Sequence, residues 1–335
     1  MRASPPANDQ ARRAILAEAM TSSGASASTK ESSFTVVLAF TVNLVIAVAK
    51  SIAAALTGSA SMTAEAAHSW ADAGNEVFLL VADRRSQRPR DNRHPMGYGR
   101  EAYVWSMFAA FGLFTAGAVV SIMHGIQELL DPEPAGDFLI AYLVLGVAFV
   151  LEGISFTQAY RQAHKTASAL QTSTLEHVAN SSNPTLRAVF AEDAAALIGL
   201  AIAFLGIFLH QVTGSPVPDA IGSIAVGVLL GVVAVILIDR NRRFLVGQSV
   251  SDDVEILAVG LLLKRPEIDR VTYIHLEYVG PSKLYLVAAV DLTGNADEDD
   301  VAVRLRRLER DLENLDYVEE AVITLSTKDE PSLPG

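Results

Sequence analysis

The sequence contains no cysteine, which excludes disulfides, thiolate zinc sites and thiol redox chemistry together. Any metal site must therefore be built from His, Asp, Glu or backbone oxygen. No phosphate-binding glycine-rich loop and no nucleotide domain appear in the sequence, so an ATP-driven pump is disfavoured. Nothing before Ser33 has the charged-then-apolar order of a cleaved secretory signal, and residues 1–33, rich in Ala and Ser, read as a disordered cytoplasmic N-terminal arm. Charge is confined: 19% of the 335 residues are charged and 50% are hydrophobic.

Several apolar runs have the length of about 20 residues that an α-helix needs to cross a hydrocarbon core roughly 30 Å thick. Six spans are predicted, at 34–57, 60–83, 103–130, 138–160, 185–210 and 217–239, giving an all-α six-helix transmembrane bundle within a membrane domain of residues 34–245. The loop RRSQRPRDNRHPMGYGR, the loop holding Arg161 and Lys165, and the stretch DRNRRF are basic, whereas TGSA, DPEPAGD and QVTGSPVPD contain no Lys or Arg. Basic loops mark the cytoplasmic side. The two sets alternate, which places both termini in the cytoplasm, with a bacterial inner membrane as the default location.

From residue 251 onward the chain carries 19 acidic and 9 basic residues, a net of −10 out of the total of −12. The acidity belongs to this tail. DDVEILAVGLLLKRP has a helical period, VTYIHLEYV and KLYLVAAVDL alternate as strands, EDDVAVRLRRLERDLENL is an amphipathic helix, and VEEAVITLST is a third strand. The order αββαβ predicts a C-terminal cytoplasmic, ferredoxin-like α+β domain over 250–328. So small a domain has a marginal core, which pairing with a second copy would reinforce.

The second span carries far more charge than a lipid-facing helix tolerates. Ser61, Glu65, His68, Asp72 and Asn75 follow one another at intervals of four, three, four and three and form a single helical stripe. A charge at mid-membrane costs about 2.5–3.5 kcal/mol on insertion scales, so the stripe must face a partner or a water-filled cavity. The fifth span supplies one: it is almost wholly apolar apart from Glu192 and Asp193. A rise of about 1.5 Å per residue puts Asp72 about 12 Å, and Asp193 about 13 Å, from the cytoplasmic face. His68 lies one turn further out. One imidazole with two or three carboxylates makes a first shell for a divalent transition metal, zinc being the commonest tetrahedral choice. Adjacent helical residues point about 100° apart, so Glu192 and Asp193 cannot both aim at one ion without distortion, and Asp193 is the preferred ligand.

The motifs HSWAD on the second span, HPMGYGRE after it, the membrane acid on the fifth span and PDAIGSI opening the sixth resemble the cation diffusion facilitator family, proton-coupled exporters of zinc and related divalent metals. The resemblance covers roughly residues 34–326. It implies a homodimer in a lipid bilayer, with one transport site per protomer built from a pair on the second span, filled by His68 and Asp72, and a pair four apart on the fifth. In the latter, Asp193 occupies the second position but Val189 the first, and Val189 cannot bind metal. Glu192 is the candidate substitute, as in a branch of the family that carries Glu-Asp here. The coordination number and the preferred metal stay open.

Asn43 and Lys50 lie seven apart on one face of the first span, so Lys50 is expected to face the bundle, as a counter-charge to the carboxylates or in a structural ion pair. Asn75 continues the stripe. Glu152 on the fourth span falls roughly 9 Å from the cytoplasmic face, where it could line a water-filled approach. Asp219, opening the sixth span, reads equally as a helix cap or an ion contact. Asp91 and His94 sit where the family often has a second, variable metal site, but Tyr98 stands where another His would strengthen it, and the tail offers only His275. Weak binding or none is expected at either place. The expected function is export of a divalent metal, zinc foremost, in exchange for protons by alternating access, with the metal as substrate and no cofactor, no enzymatic activity and no nucleic-acid partner. A passive channel is the competing class, but a His-carboxylate cage holds an ion too firmly for fast conduction.

Overall fold

The computed structural model describes residues 29–132, 138–169 and 172–334, with side chains from residue 40 onward except that of residue 169. Residues 1–28, most of the expected arm, lie outside the described residues.

Helix α1 runs from Thr29 to Thr57 and turns through Gly58, whose φ of 65° is left-handed, into α2, Ala60–Ser86. Helix α3, Glu101–Leu130, contains one π-helical turn at Ala110–Phe114; α4 is Phe138–Ala169 and the short α5 is Thr174–Asn180. Helices α6, Pro184–Thr213, and α7, Val217–Val246, complete the bundle. Local chemistry sets their starts. Ser59 caps α2 by accepting from the Met62 amide, and Asn183 caps α6 by accepting from Thr185 and Leu186, with Pro184 in the first turn where its missing N–H is no loss. α6 ends on Gly214 in the left-handed conformation.

Among the described residues, five helices, over Phe40–Thr57, Glu101–Leu130, Phe138–Ser168, Pro184–Thr213 and Val217–Val246, are long and apolar enough to cross a membrane. The chain is a multi-pass membrane protein on this count. Helix α2 has the length, at 27 residues, but not the apolarity. It compensates by position: Ser61, Glu65, His68, Asp72 and Asn75 are all buried among the other helices, while Trp70 and Val77 remain exposed. The lipid-type surface lies elsewhere, as on α4, where Leu143, Val147, Val150 and Ile154 line up exposed at intervals of four, three and four.

After Gly247 the chain forms α8, Asp252–Leu262, β1, Ile268–Gly280, β2, Lys283–Leu292, α9, Glu298–Glu313, and β3, Val318–Leu325. The sheet order is β1-β2-β3, with β1 antiparallel and β3 parallel to the central β2. Alternate residues of β2, Leu284, Leu286, Ala288, Val290 and Leu292, are buried, and the last four pack with Val259 and Leu262 of α8 and Leu308 and Leu312 of α9. This is the αββαβ order read from periodicity.

The two parts meet closely. Gly99, just before α3, and Gly280, at the β1–β2 turn, approach so nearly that a Cβ on either would lie within 2.7 Å of the other's backbone. Arg100 pairs with Glu277, and the Ser282 amide donates to the Ser182 hydroxyl at 3.1 Å. Beneath this joint, Phe244 stacks on Tyr103 at 5.0 Å and the Arg187 guanidinium lies 4.7 Å from the Phe244 ring centre.

Candidate metal site in the helix bundle

Helix α2 is the axis of the site, and its stripe divides into three levels. At the end away from the C-terminal domain, Asp219 of α7 accepts from the Ala60 and Ser61 amides at 2.9 and 3.2 Å, and the Ser61 hydroxyl donates to the Asp219 carbonyl at 2.8 Å. Asp219 is therefore a cap, but of α2 rather than of its own helix. Gly206 and Gly222 make this closeness possible: a Cβ would stand 3.0 Å from the Ser61 hydroxyl in the first case and 2.6 Å in the second.

One turn inward the pattern changes. Lys50 of α1, 1% exposed, pairs with Glu65 Oε2 at 2.9 Å. His68 is fully buried, with Nε2 3.4 Å from Asp72 Oδ1. Glu65 Oε1, both His68 ring nitrogens and Asp72 Oδ1 have no hydrogen-bond partner. The Ser69 hydroxyl between them is likewise unpartnered; buried polar atoms are satisfied in the great majority of cases, so five orphans within two turns of one helix are an unmet demand for a ligand or a cation.

Nearer the C-terminal domain, α6 brings its acids to the stripe. Glu192 accepts from the Asn75 amide at 2.6 Å and lies within hydrogen-bonding reach of Asp72. Asp193 turns instead to α4 and accepts from the Ser155 hydroxyl at 2.9 Å. The 100° step between neighbours thus sends the two acids to different partners. Glu76, one turn beyond Asp72, accepts from the Asn43 amide at 2.7 Å. Glu152 is buried and within electrostatic range of Lys50 and Asp72.

The arrangement brings together His68 with Asp72, and Asp72 with Glu192; it leaves Asp193 on Ser155. Among the described residues no three His, Asp or Glu side chains converge closely enough to hold a metal as they stand. Sequence reasoning placed Lys50 inward without its partner and gave no role to Glu76 or Ser155. Glu76 could have been found, since it stands four residues after Asp72 and extends the stripe by a turn.

The loop residues Asp91 and His94 form a different kind of pair. Asp91 accepts from the Tyr98 hydroxyl at 2.8 Å and from the Arg93 and His94 amides at 2.9 and 2.8 Å. The Tyr98 hydroxyl first, and the His94 amide next, hold its carboxyl below the usual range. Its lone pairs are engaged. His275, on β1, is 3.8 Å from Glu277.

A family model described as the cation efflux transmembrane domain matches residues 36–246. The chain is 35% identical over 230 residues to metal tolerance protein C4 of Arabidopsis thaliana, covering 69% of this chain and 50% of the relative. It is 36% identical over 230 residues to the mitochondrial proton-coupled zinc antiporter SLC30A9 of Xenopus laevis, covering 69% and 41%. Similarity to the magnetosome protein MamB of Paramagnetospirillum magneticum is lower, 22% over 217 residues, covering 64% and 67%. The chain spans half or less of the length of the first two relatives. A match through the whole helix bundle, together with a charged stripe buried at its centre, places the chain in the cation diffusion facilitator family, whose members are transporters rather than enzymes.

Proposed function

We propose that the chain is a secondary active transporter that exports a divalent metal, zinc foremost, from the cytoplasm in exchange for protons. The observation that carries this is His68: a fully buried imidazole with neither nitrogen in a hydrogen bond, beside a buried carboxylate. Nothing structural is gained by leaving these atoms unsatisfied, whereas a divalent ion would engage them. His68 and Asp72 of α2, with Glu192 and Asp193 of α6, form the proposed transport site, Asp193 joining by rotation away from Ser155. The relative named as a proton-coupled zinc antiporter supports both the cargo and the coupling.

In this reading α2 is a sixth span whose charge is shielded by the other five, residues 34–245 are the transport domain, and residues 250–328 are a cytoplasmic domain that pairs two protomers. Arg and Lys gather at the end of the bundle that carries the C-terminal domain, which supports cytoplasmic termini. The ion binds from that side through Glu76, Asp193 and Glu152 and displaces protons from its ligands, because metal ligands must be deprotonated. Rocking of the bundle then opens the Ser61–Asp219 end, and protons reload the ligands as the metal leaves.

Zinc flux in proteoliposomes, with the membrane potential clamped to zero and only the pH gradient varied, tests the reading. Uphill zinc movement driven by that gradient supports exchange; flux that only follows the zinc gradient would replace it with facilitated diffusion, and no saturable zinc flux would remove the transport reading.

A further inference from the structure

The Lys50–Glu65 pair is an unusual object at this depth. An ion pair buried between helices is often no more stable than a well-packed apolar pair of similar volume, so stability alone does not account for it. Its geometry is also incomplete. Lys50 engages only Glu65 Oε2, at 2.9 Å, and Glu65 Oε1 is left without a partner in a fully buried position. Most buried polar atoms are satisfied, and this oxygen is not.

Oε1 is also aimed at a particular place. Gly199 of α6 faces α2 here, and a Cβ on it would lie 2.5 Å from Glu65 Oε1 and 3.6 Å from His68 Nδ1. Two unpartnered metal-ligating atoms, one oxygen and one nitrogen, therefore converge on the spot that the missing side chain leaves open. On the opposite edge of the imidazole, Nε2 lies 3.4 Å from Asp72 Oδ1. The single ring stands between two carboxylates and turns a different nitrogen toward each.

We propose that Glu65 is a second metal-binding station on the release side of His68, and that the Lys50 ammonium holds it as a tethered counter-ion until metal arrives and takes it back as metal leaves. The proposal rests on the transport reading above. A divalent ion held by Asp72 and His68 Nε2 passes around the imidazole to His68 Nδ1 and Glu65 Oε1. There it meets the ammonium, which repels it at close range and competes for the same carboxylate, and the ion is released toward the Ser61–Asp219 end. Lys50 stays charged throughout, so the step is an exchange of one cation for another on Glu65.

Zinc affinity in detergent and zinc transport in proteoliposomes, measured on the same preparations, separate the outcomes. Lys50→Met should bind zinc about tenfold more tightly, because Glu65 is freed of its competitor, and should have a reduced maximal rate because release is slowed. Lys50→Met/Glu65→Gln should lose that gain in affinity. Gly199→Ala, a change a helix tolerates well, fills the second station and should keep zinc binding while lowering the maximal rate. A folded Lys50→Met protein whose zinc affinity is unchanged or weaker, or a Gly199→Ala protein that transports at the normal rate, would overturn the proposal. His68→Ala and Asp72→Ala test the underlying site separately: if both bind and transport zinc normally, the transport-site reading fails rather than the role of Lys50.

Discussion

Among the described residues two histidine–aspartate pairs have nearly equal separation, and they differ in almost everything else. His68 Nε2 lies 3.4 Å from Asp72 and His94 Nδ1 lies 3.5 Å from Asp91. In the loop, Asp91 is exposed and accepts from a hydroxyl and two backbone amides, which close the turn after α2. In the bundle, the pair is buried and both nitrogens of its imidazole are orphaned. Proximity of His to Asp is therefore not what distinguishes a metal site. Burial without satisfaction is what makes the bundle pair the candidate, because only in a dry environment does an open lone pair represent a standing cost that a bound cation would relieve.

The largest test of that contrast is to remove one aspartate from each pair. Asp72→Ala is expected to lower zinc transport by roughly 100-fold or more while leaving the protein folded, since a charged ligand inside a dry bundle has no substitute. Asp91→Ala is expected to stay within about twofold of the parent rate, as exposed polar contacts contribute little. Equal losses in the two variants would abolish the comparison.

A smaller effect sharpens the bundle half of it. Glu192 faces Asp72 and Asn75, while Asp193 faces Ser155. Glu192→Gln and Asp193→Asn each keep the local hydrogen bond but remove a charge, and each is expected to slow zinc transport about tenfold. A silent Glu192→Gln with an inactive Asp193→Asn would mean that Asp193 swings from Ser155 to complete the site alone; the reverse result would confine the site to Glu192.

The smallest effect concerns the loop. The hydrogen bonds from Tyr98 and His94 depress the folded pKa of Asp91, so their contribution to loop order is fully present above the unfolded pKa of about 3.9 and is lost as pH falls through the lower folded value. Tyr98→Phe removes the largest of these and should move the Asp91 titration upward, read by NMR of the side-chain carboxyl. An unmoved titration would show that Tyr98 does not set it.

Much of the architecture was legible because helix starts have local causes. Spans expected to begin at 60, 138, 185 and 217 begin at Ala60, Phe138, Pro184 and Val217. Two ends, at 57 and 130, match, and four were read short: 83, 160, 210 and 239 against Ser86, Ala169, Thr213 and Val246. Hydropathy reports where lipid stops, whereas the helices continue beyond it, their backbone hydrogen bonds being indifferent to that boundary. The three strands and two helices of the C-terminal domain followed from period alone.

The sequence by itself determined which face of α2 needs shielding, because a 3.6-residue period gathers Ser61, Glu65, His68, Asp72 and Asn75 on one stripe. It also determined that no cysteine thiolate in this chain can serve a metal site. Only the tertiary structure decided which polar residues satisfy one another. Asp219 reaches across to cap α2, Lys50 meets Glu65, Glu192 rather than Asp193 meets Asp72, and His68 is left open. These contacts join residues far apart in the chain, and their selection depends on crossing angles and on where glycines such as Gly199 and Gly222 let helices approach. No local pattern encodes that.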